Sequence, residues 1–372
     1  MNRQMRITIH SDGSLAIVDP GFDALPLLRS VNPDFRIQRA PLPAFYRPKF
    51  QTARKITVGY SQAGIRNKPE SDLWEIHRAV IQAAMIGQQA EALSGQASLL
   101  DLKIELAQRL LTHCCLCGHR CGVNRWAGER GRCGLGRGAF LMDTYVHIAE
   151  EPPINPSLMM TLAGCGLTCV FCQHPEYRDL TNDSGIPLNA TVWEKLNTRG
   201  ARSLSFIGGN PDESLFAILS CLRTAPPDWR LPLVWNCHAY TSEETTDLLA
   251  GIVDAFVPDF KYGCTDCSLR LSGAPGYPET AGLSISAMIK QNVPVFVRLL
   301  VLPGHVDCCH IPVLDSLAGM DSALLWISLR GQYNPEYLIS DADTRLTRRP
   351  SAEEIMRVAA HAHYLDLSLI EG

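Results

Sequence analysis

Three cysteines, Cys165, Cys169 and Cys172, stand at the spacing C-x3-C-x2-C in Gly164-Cys165-Gly166-Leu167-Thr168-Cys169-Val170-Phe171-Cys172-Gln173. Four thiolates would fill every external site of a [4Fe–4S] cluster. Three leave one iron open, as a catalytic metal site keeps a position for something other than protein. The apolar run Leu158-Met159-Met160-Thr161-Leu162-Ala163 just before them reads as a buried strand, and Gly164 and Gly166 permit a tight loop after it. The competing readings are a zinc site or three unrelated core cysteines.

Two further cysteine groups flank this one. Cys114, Cys117, Cys121 and Cys133 give C-x2-C-x3-C-x11-C, interrupted by Gly118, Gly122, Gly128 and Gly131. Tetrahedral sulfur coordination admits zinc or an iron–sulfur cluster, with Cys115 spare and His119 able to replace a thiolate. Such a loop has no core of its own, so its metal should supply much of its local folding energy. Cys264 and Cys267, with Cys308 and Cys309, form a third group, readable as a cluster or zinc site or as free thiols in loops.

Positioning these residues falls to a regular series of elements from about residue 157. Strand-like runs are Leu158–Ala163, Ser203–Ile207, Leu231–Trp235, Ala255–Phe260, Val295–Val301 and Leu324–Leu329. Helical patterns lie near Val192–Thr198, Glu213–Leu222, Glu243–Leu249, Ile285–Gln291, Val313–Leu317 and Ala352–Tyr364. Alternation of this kind implies an α/β fold with a parallel sheet and crossover helices. Six strands fall short of a closed eight-stranded barrel, so a partial (β/α)6 barrel is predicted, with its site at the C-terminal strand ends.

Polar and special residues fall at those ends. Phe206-Ile207 runs into Gly208-Gly209-Asn210-Pro211, where adjacent glycines let a ligand approach the backbone. In Val257-Pro258-Asp259-Phe260-Lys261-Tyr262, Asp259 and Lys261 share a face, and interior charges of this kind must pair or contact a ligand. Arg298 stands inside the apolar run Val295–Val301, and its fork suits a carboxylate. Glu150-Glu151 reads as part of a turn before Pro152-Pro153, and no His/Asp/Ser arrangement for hydrolysis emerges.

The strand, the cysteine loop and the aromatic Phe171 before the last cysteine resemble the signature of the radical S-adenosylmethionine (SAM) superfamily. The stretches Arg120-Cys121-Gly122-Val123-Asn124-Arg125, Glu150-Glu151-Pro152-Pro153-Ile154, Pro258–Tyr262, Leu271-Ser272-Gly273-Ala274-Pro275 and Gly331-Gln332-Tyr333 further resemble a radical SAM family related to pyruvate formate-lyase activating enzyme, over roughly residues 105–365. The resemblance implies a barrel of radical SAM type, a [4Fe–4S] cluster on Cys165, Cys169 and Cys172, and SAM on the open iron. It implies a radical SAM oxidoreductase that cleaves SAM reductively to a 5′-deoxyadenosyl radical, with a reductant such as flavodoxin or ferredoxin. Carried over, Gly208, Gly209 and Asn210 (where relatives have Glu) receive the SAM amino group, and Asp259, Lys261 and Arg298 contact SAM or an associated cation, with Asn236 a weaker addition. The kinship favours a protein or peptide glycine as substrate, with a small molecule or other peptide as the alternative. A non-catalytic iron–sulfur electron carrier explains the cysteines equally well but leaves the strand ends unexplained. A degenerate zinc-stabilised binding module conflicts with the intact cysteine spacing.

The remaining sequence divides as 1–66, 67–113, 114–145 and 146–372. Residues 1–66 carry a hairpin signal, Ile7–Ile9 and Leu15–Val18 around Asp12-Gly13, then Pro20, Pro26, Pro33, Pro41, Pro43 and Pro48, and read as an N-terminal α+β extension. Residues 67–113 hold two helices, from about Asp72 to Met85 and Leu99 to Leu111, with a Trp74, Ile76, Val80 stripe read as core together with His77. The cysteine-rich loop spans 114–145 and the barrel 146–372. Among 372 residues, 46% are hydrophobic and 19% charged, with 34 basic against 38 acidic, which indicates a globular chain without a nucleic-acid footprint. No apolar run reaches a membrane span, and no signal-peptide pattern follows Met1, so a cytoplasmic location is expected. Fourteen cysteines in a reducing compartment argue for ligation over disulfides.

Overall fold

The structure, a computed structural model, describes residues 6–9, 15–18, 48–178, 185–320, 323–335 and 343–370. β1 (Arg6–Ile9) and β2 (Leu15–Val18) pair antiparallel, Arg6 opposite Val18. The Asp12-Gly13 turn and Pro20 to Pro43 lie outside the described residues. Next come α1 (Lys49–Ala53), β3 (Thr57–Ser61), α2 (Gln62–Arg66), α3 (Glu70–Met85), β4 (Gln96–Ser98) and α4 (Leu99–Leu110). β3 and β4 form an antiparallel pair that periodicity did not announce, because both are short. Helix α4 starts on a capping box in which Ser98 Oγ accepts from Asp101 N and Asp101 accepts from Ser98 N. On α3 the fully buried positions are Leu73 and His77, one turn apart, while Trp74, Ile76 and Val80 flank the core half-covered. The expected stripe is therefore rotated by about one residue. The His77 ring lies 2.7 Å from Lys103 Nζ, also fully buried.

One nine-stranded sheet dominates, in the order β13-β12-β11-β10-β9-β8-β6-β5-β7. The six expected strands are β6 (Ser157–Leu162), β8 (Ser203–Gly208), β9 (Leu233–Cys237), β10 (Ala255–Pro258), β11 (Val295–Leu300) and β12 (Leu325–Arg330), all parallel and adjacent in chain order. β13 (Leu369–Ile370) continues the parallel run, while β5 (Phe140–His147) and β7 (Ile186–Pro187) close the other edge antiparallel. The crossovers carry α5 (Leu215–Arg223), α6 (Glu243–Leu249), α7 (Thr265–Ser272), α8 (Tyr277–Ile289) and α9 (Ile311–Ala318), and α10 (Ala352–Tyr364) leads into β13. Two helix expectations change. The one near Val192 is a short 3-10 turn, Ala190–Glu194, opened by Asn189. The one at Ile285 begins at Tyr277, behind a left-handed Gly276 and with Pro278 in its first turn.

The parallel register assigns the two faces. Leu158, Leu204, Phe206, Leu233, Trp235, Val295, Val297 and Ile327 join the helices in one large core. The opposite face has its own cluster of Val234, Ala255, Val257, Phe296, Trp326 and Ile370, capped by Ile154 from the β5–β6 loop. Above it, toward the C-terminal ends, the same face turns polar. Asn236 pairs with Val257, Asp259 bridges Arg298, and Arg298 pairs with Ser328.

Asp254, buried before β10, ties α1 to the sheet by accepting from Lys49 N (3.1 Å) and Leu233 N (2.7 Å). Burial pushes its carboxyl up to about 7, against the two backbone donors. A raised folded value means stability present below the unfolded value of ~3.9 and lost as pH rises through about 7. Asp254→Asn should therefore gain on the wild type between pH 4 and pH 8, by up to about 4 kcal/mol at 1.36 kcal/mol per unit. Paired urea titrations at the two pH values check this.

Candidate metal centre at the strand ends

The cysteine loop leaves β6, whose six residues are all buried, through Gly164. Gly164 has φ +87°, and a Cβ there would sit 2.5 Å from Leu135 Cγ, so no other residue fits. The loop is held on three sides. Thr168 N and Val170 N donate to Ser272 O and Leu271 O of α7, and the Ser272 hydroxyl lies 3.0 Å from Cys169 Sγ. Phe171 packs edge-on against Tyr262 and Tyr333. Gly166 N donates to Glu213 Oε1 at 2.8 Å.

The sequence predicts Glu213 only as the start of a helix, not as a partner of the cysteine loop. Its carboxylate also accepts from Asn210 Nδ2 and lies 3.3 Å from His238 Nε2, while Asn210 Oδ1 accepts from His238 N. Burial would raise the Glu213 carboxyl, but His238, Asn210 and Gly166 hold it below its ordinary value. The Asn210 side chain is thus spent inside the protein, steadying the loop through Glu213. The glycines before it are also accounted for by protein. A Cβ on Gly208 would meet the Leu162 backbone at 2.4 Å, and one on Gly209 would meet Gly164 O at 2.1 Å. Their smallness lets β8 press directly on the cysteine loop.

Lys261 faces the same thiols. Burial lowers its affinity for a proton, yet Asp259 and then Cys169 and Cys165 raise it above the ordinary value. Its ammonium pairs with Asp259 Oδ2, as the shared face required. From α8, the Tyr277 hydroxyl lies 2.9 Å from His238 O and 2.7 Å from Asp259 O and accepts from Lys261 N, tying the ends of β9 and β10 together. Burial and the nearby Glu213 carboxylate push the Cys165 thiol up.

Arg298 is engaged by protein carboxylates. Its Nε and Nη2 donate to Glu151 at 2.7 Å each, and Nη2 also reaches Glu150, while Arg330 Nη2 donates to Glu151 at 2.6 Å. Glu150-Glu151 sits in the expected turn, but that turn plugs the sheet's inner face. Burial alone would raise the Glu151 carboxyl, and Arg298 and Arg330 instead hold it well below the usual carboxylate range. Several polar atoms on this face lack a partner: Thr161 Oγ1, Asn236 Nδ2, Ser328 Oγ and Arg330 Nε. Orphaned buried polar atoms drawn from three strands of one face mark a place for a ligand or water.

The 114–133 loop packs beside this centre. Cys114, Cys117 and Cys133 are buried and Cys121 is exposed. A Cβ at Gly166 would sit 3.5 Å from Cys117 Sγ, and His119 Nε2 lies 2.8 Å from Gly166 O, which occupies that ring nitrogen. Buried Arg125, 3.8 Å from Cys114 Sγ, donates to Gly136 O and Glu213 O, so one network spans both cysteine groups. At the rim, Cys264 caps α7, Cys267 lies in its first turn, and Cys308 and Cys309 stand on the β11–α9 turn, with Cys267 Sγ 3.8 Å from Cys308 Sγ. Among the described residues, the potential ligand atoms that gather within 4.8 Å of one another belong to Cys267, His305 and Cys308. No helix among them is long and apolar enough to cross a membrane.

An uncharacterized protein of Methanocaldococcus jannaschii is 31% identical over 313 residues, 81% of this chain and 89% of that one. The chain belongs to the family of this archaeal protein. No protein-family model matches the sequence. Among solved structures, Streptococcus suis SuiB bound to S-adenosylmethionine overlaps at TM-score 0.40 and 14% identity, covering 56% of this chain and 48% of SuiB. SuiB bound to the precursor peptide SuiA gives 0.41 at 13% identity, covering 80% and 62%. The chain spans less than two thirds of SuiB's length, and the overlap is too slight to decide an activity.

Proposed function

We propose that this chain is a radical SAM enzyme whose [4Fe–4S] cluster is held by Cys165, Cys169 and Cys172. The observation that carries the reading is the convergence on one loop of three thiols, a paired Asp259–Lys261 facing them, and orphaned polar atoms on the adjoining sheet face. The residues fit the group. The three thiols stand on a loop locked by Glu213 and α7, and they are not gathered as ligands of one ion would be. Helices on one face only, with a separate cluster closing the other, support a curled, partial (β/α)6 barrel.

When bound, the cluster supplies the electron that cleaves the SAM sulfonium, the chemistry of the cofactor rather than of any side chain. Lys261 offsets the negative charge of a thiolate-ligated cluster and, with Asp259, offers a polar edge to the SAM methionine group. Gly208 and Gly209 hold β8 flush against the loop, and Asn210 acts through Glu213. Arg298, paired with Glu150 and Glu151, sets the floor of the pocket. Ile154 and the apolar cluster around it keep water out from below. Cys114, Cys117, Cys121 and Cys133 would hold a second centre, an iron–sulfur cluster or a zinc ion. A protein or peptide substrate is favoured by the resemblance to activating enzymes, and a flavodoxin- or ferredoxin-type reductant would supply electrons.

Anaerobically reconstituted, reduced protein should show the paramagnetic signal of a [4Fe–4S] centre, and adding SAM should change its shape. A signal indifferent to SAM would overturn the assignment of the open iron.

A further inference from the structure

Two loops at the rim bring metal-binding residues together outside the centre described above. Cys264 caps α7 and Cys267 lies in its first turn, and His305-Val306-Asp307-Cys308 follows β11, so each segment presents two such residues at x2 spacing. The Cys267 and Cys308 sulfurs are 3.8 Å apart, and a His305 ring nitrogen lies within 4.8 Å of both. Two thiolates at a Zn–S distance of ≈ 2.3 Å on a tetrahedral ion are themselves separated by about 3.8 Å. Cluster ligands stand wider, since several iron atoms lie between them.

His305 is the decisive residue. It is fully buried, and Nδ1 is 2.9 Å from Pro303 O, which makes Nδ1 the protonated nitrogen of the neutral ring. Nε2 then carries the lone pair, and it has no hydrogen-bond partner; Asp343 Oδ2 stands 3.3 Å away without forming one. A metal-bound histidine has this arrangement, its other ring N–H given to a backbone carbonyl. His305 caps one π-helical turn, Val306–His310, which bears Cys308 and is pinned where His310 Nε2 accepts from Leu302 N at 2.8 Å. Asp343 is clamped by Arg270 and Arg345 at 2.7 and 2.6 Å, so its charge is already satisfied.

We propose that Cys264, Cys267, His305 and Cys308 form a tetrahedral site for one zinc ion. Cys264 supplies the fourth ligand, because it completes the C-x2-C pair and its thiol contacts Cys267. Cys309 is fully buried, and its Sγ also lies 3.8 Å from Cys308 Sγ. Cys264 is assigned ahead of it because the C-x2-C spacing lets two side chains of one turn reach the same ion, which the adjacent pair Cys308-Cys309 does not. Four protein ligands close the coordination, so the ion is structural and clamps the start of α7 to the β11–α9 loop. That clamp bears on the cluster loop through Tyr262, which contacts Phe171 and whose hydroxyl bonds the Ser272 side chain beside Cys169. The proposal stands independently of the radical SAM reading.

The test is zinc and iron content of the full chain, measured for wild type and for Cys267→Ser/Cys308→Ser. The double variant should lose one zinc per chain with iron unchanged. Unchanged zinc, or a loss of iron instead, would overturn the site. If the double variant does not fold, single variants are titrated against a chromogenic zinc chelator. His305→Ala and Cys264→Ser should each weaken zinc binding at least tenfold, and Cys309→Ser should not. A His305→Ala protein that holds zinc as tightly as wild type, or a loss confined to Cys309→Ser, would refute the assigned ligand set.

Discussion

Replacing Glu151 with Ala is expected to cost about 3–5 kcal/mol of folding stability, the price of leaving buried charge without a partner. Glu151 is fully buried and accepts from both Arg298 and Arg330. Its removal leaves two guanidinium groups on the sheet's inner face with only Glu150 between them. Glu150→Ala should cost less, because Arg298 keeps its two bonds to Glu151. The depressed Glu151 carboxyl also sets a sign: its stabilisation is present above the unfolded value and is lost as pH falls. Urea unfolding of the two variants at neutral pH measures the difference. A Glu151→Ala loss below about 1 kcal/mol would mean that the plug is not the counter-charge of this face.

The second large effect is expected at Glu213. Glu213→Ala removes the acceptor for Gly166 N and Asn210 Nδ2, leaving buried donors unmade at ~1–3 kcal/mol each. Stability should fall by about 2–4 kcal/mol. The functional consequence should be sharper, because Gly166 lies between Cys165 and Cys169. Reconstituted Glu213→Ala should lose iron to a chelator faster than wild type, while Glu213→Gln, which keeps one acceptor oxygen, should fall between them. Equal iron retention in all three would show that the loop holds its shape without this carboxylate.

What could be read in advance was what repeats. Six strands were legible because the parallel sheet is buried on both faces and reads as apolar runs, and Asp259 and Lys261 followed from period-two alternation. Elements with weak periodicity escaped: β3 and β4 are short, and β5 alternates imperfectly on a half-exposed edge. The polar network was mostly hidden. Glu150 and Glu151 meet Arg298 across nearly 150 positions of chain, and a pair of glutamates before two prolines looks like any turn. Glu213 reads from the sequence as the first residue of a helix, where an acidic side chain is ordinary, and it sits instead in a 3-10 turn three residues past Asn210, aimed at the cysteine loop. His305 went unremarked in the sequence, and the fold sets it, with an orphaned ring nitrogen, beside Cys267 and Cys308. Its x2 spacing to Cys308, matching Cys264 to Cys267, was the available signal.

The central claim is that Cys165, Cys169 and Cys172 hold a cluster that cleaves SAM. Its most direct test is the formation of 5′-deoxyadenosine by anaerobically reconstituted protein given dithionite and SAM. The wild type should release 5′-deoxyadenosine and methionine, slowly in the absence of substrate. Cys165→Ala/Cys169→Ala/Cys172→Ala should release none, and the variant lacking Cys267 and Cys308 should retain the activity. Equal 5′-deoxyadenosine from the wild type and the triple variant, or none from a wild type carrying its full iron, would contradict the account.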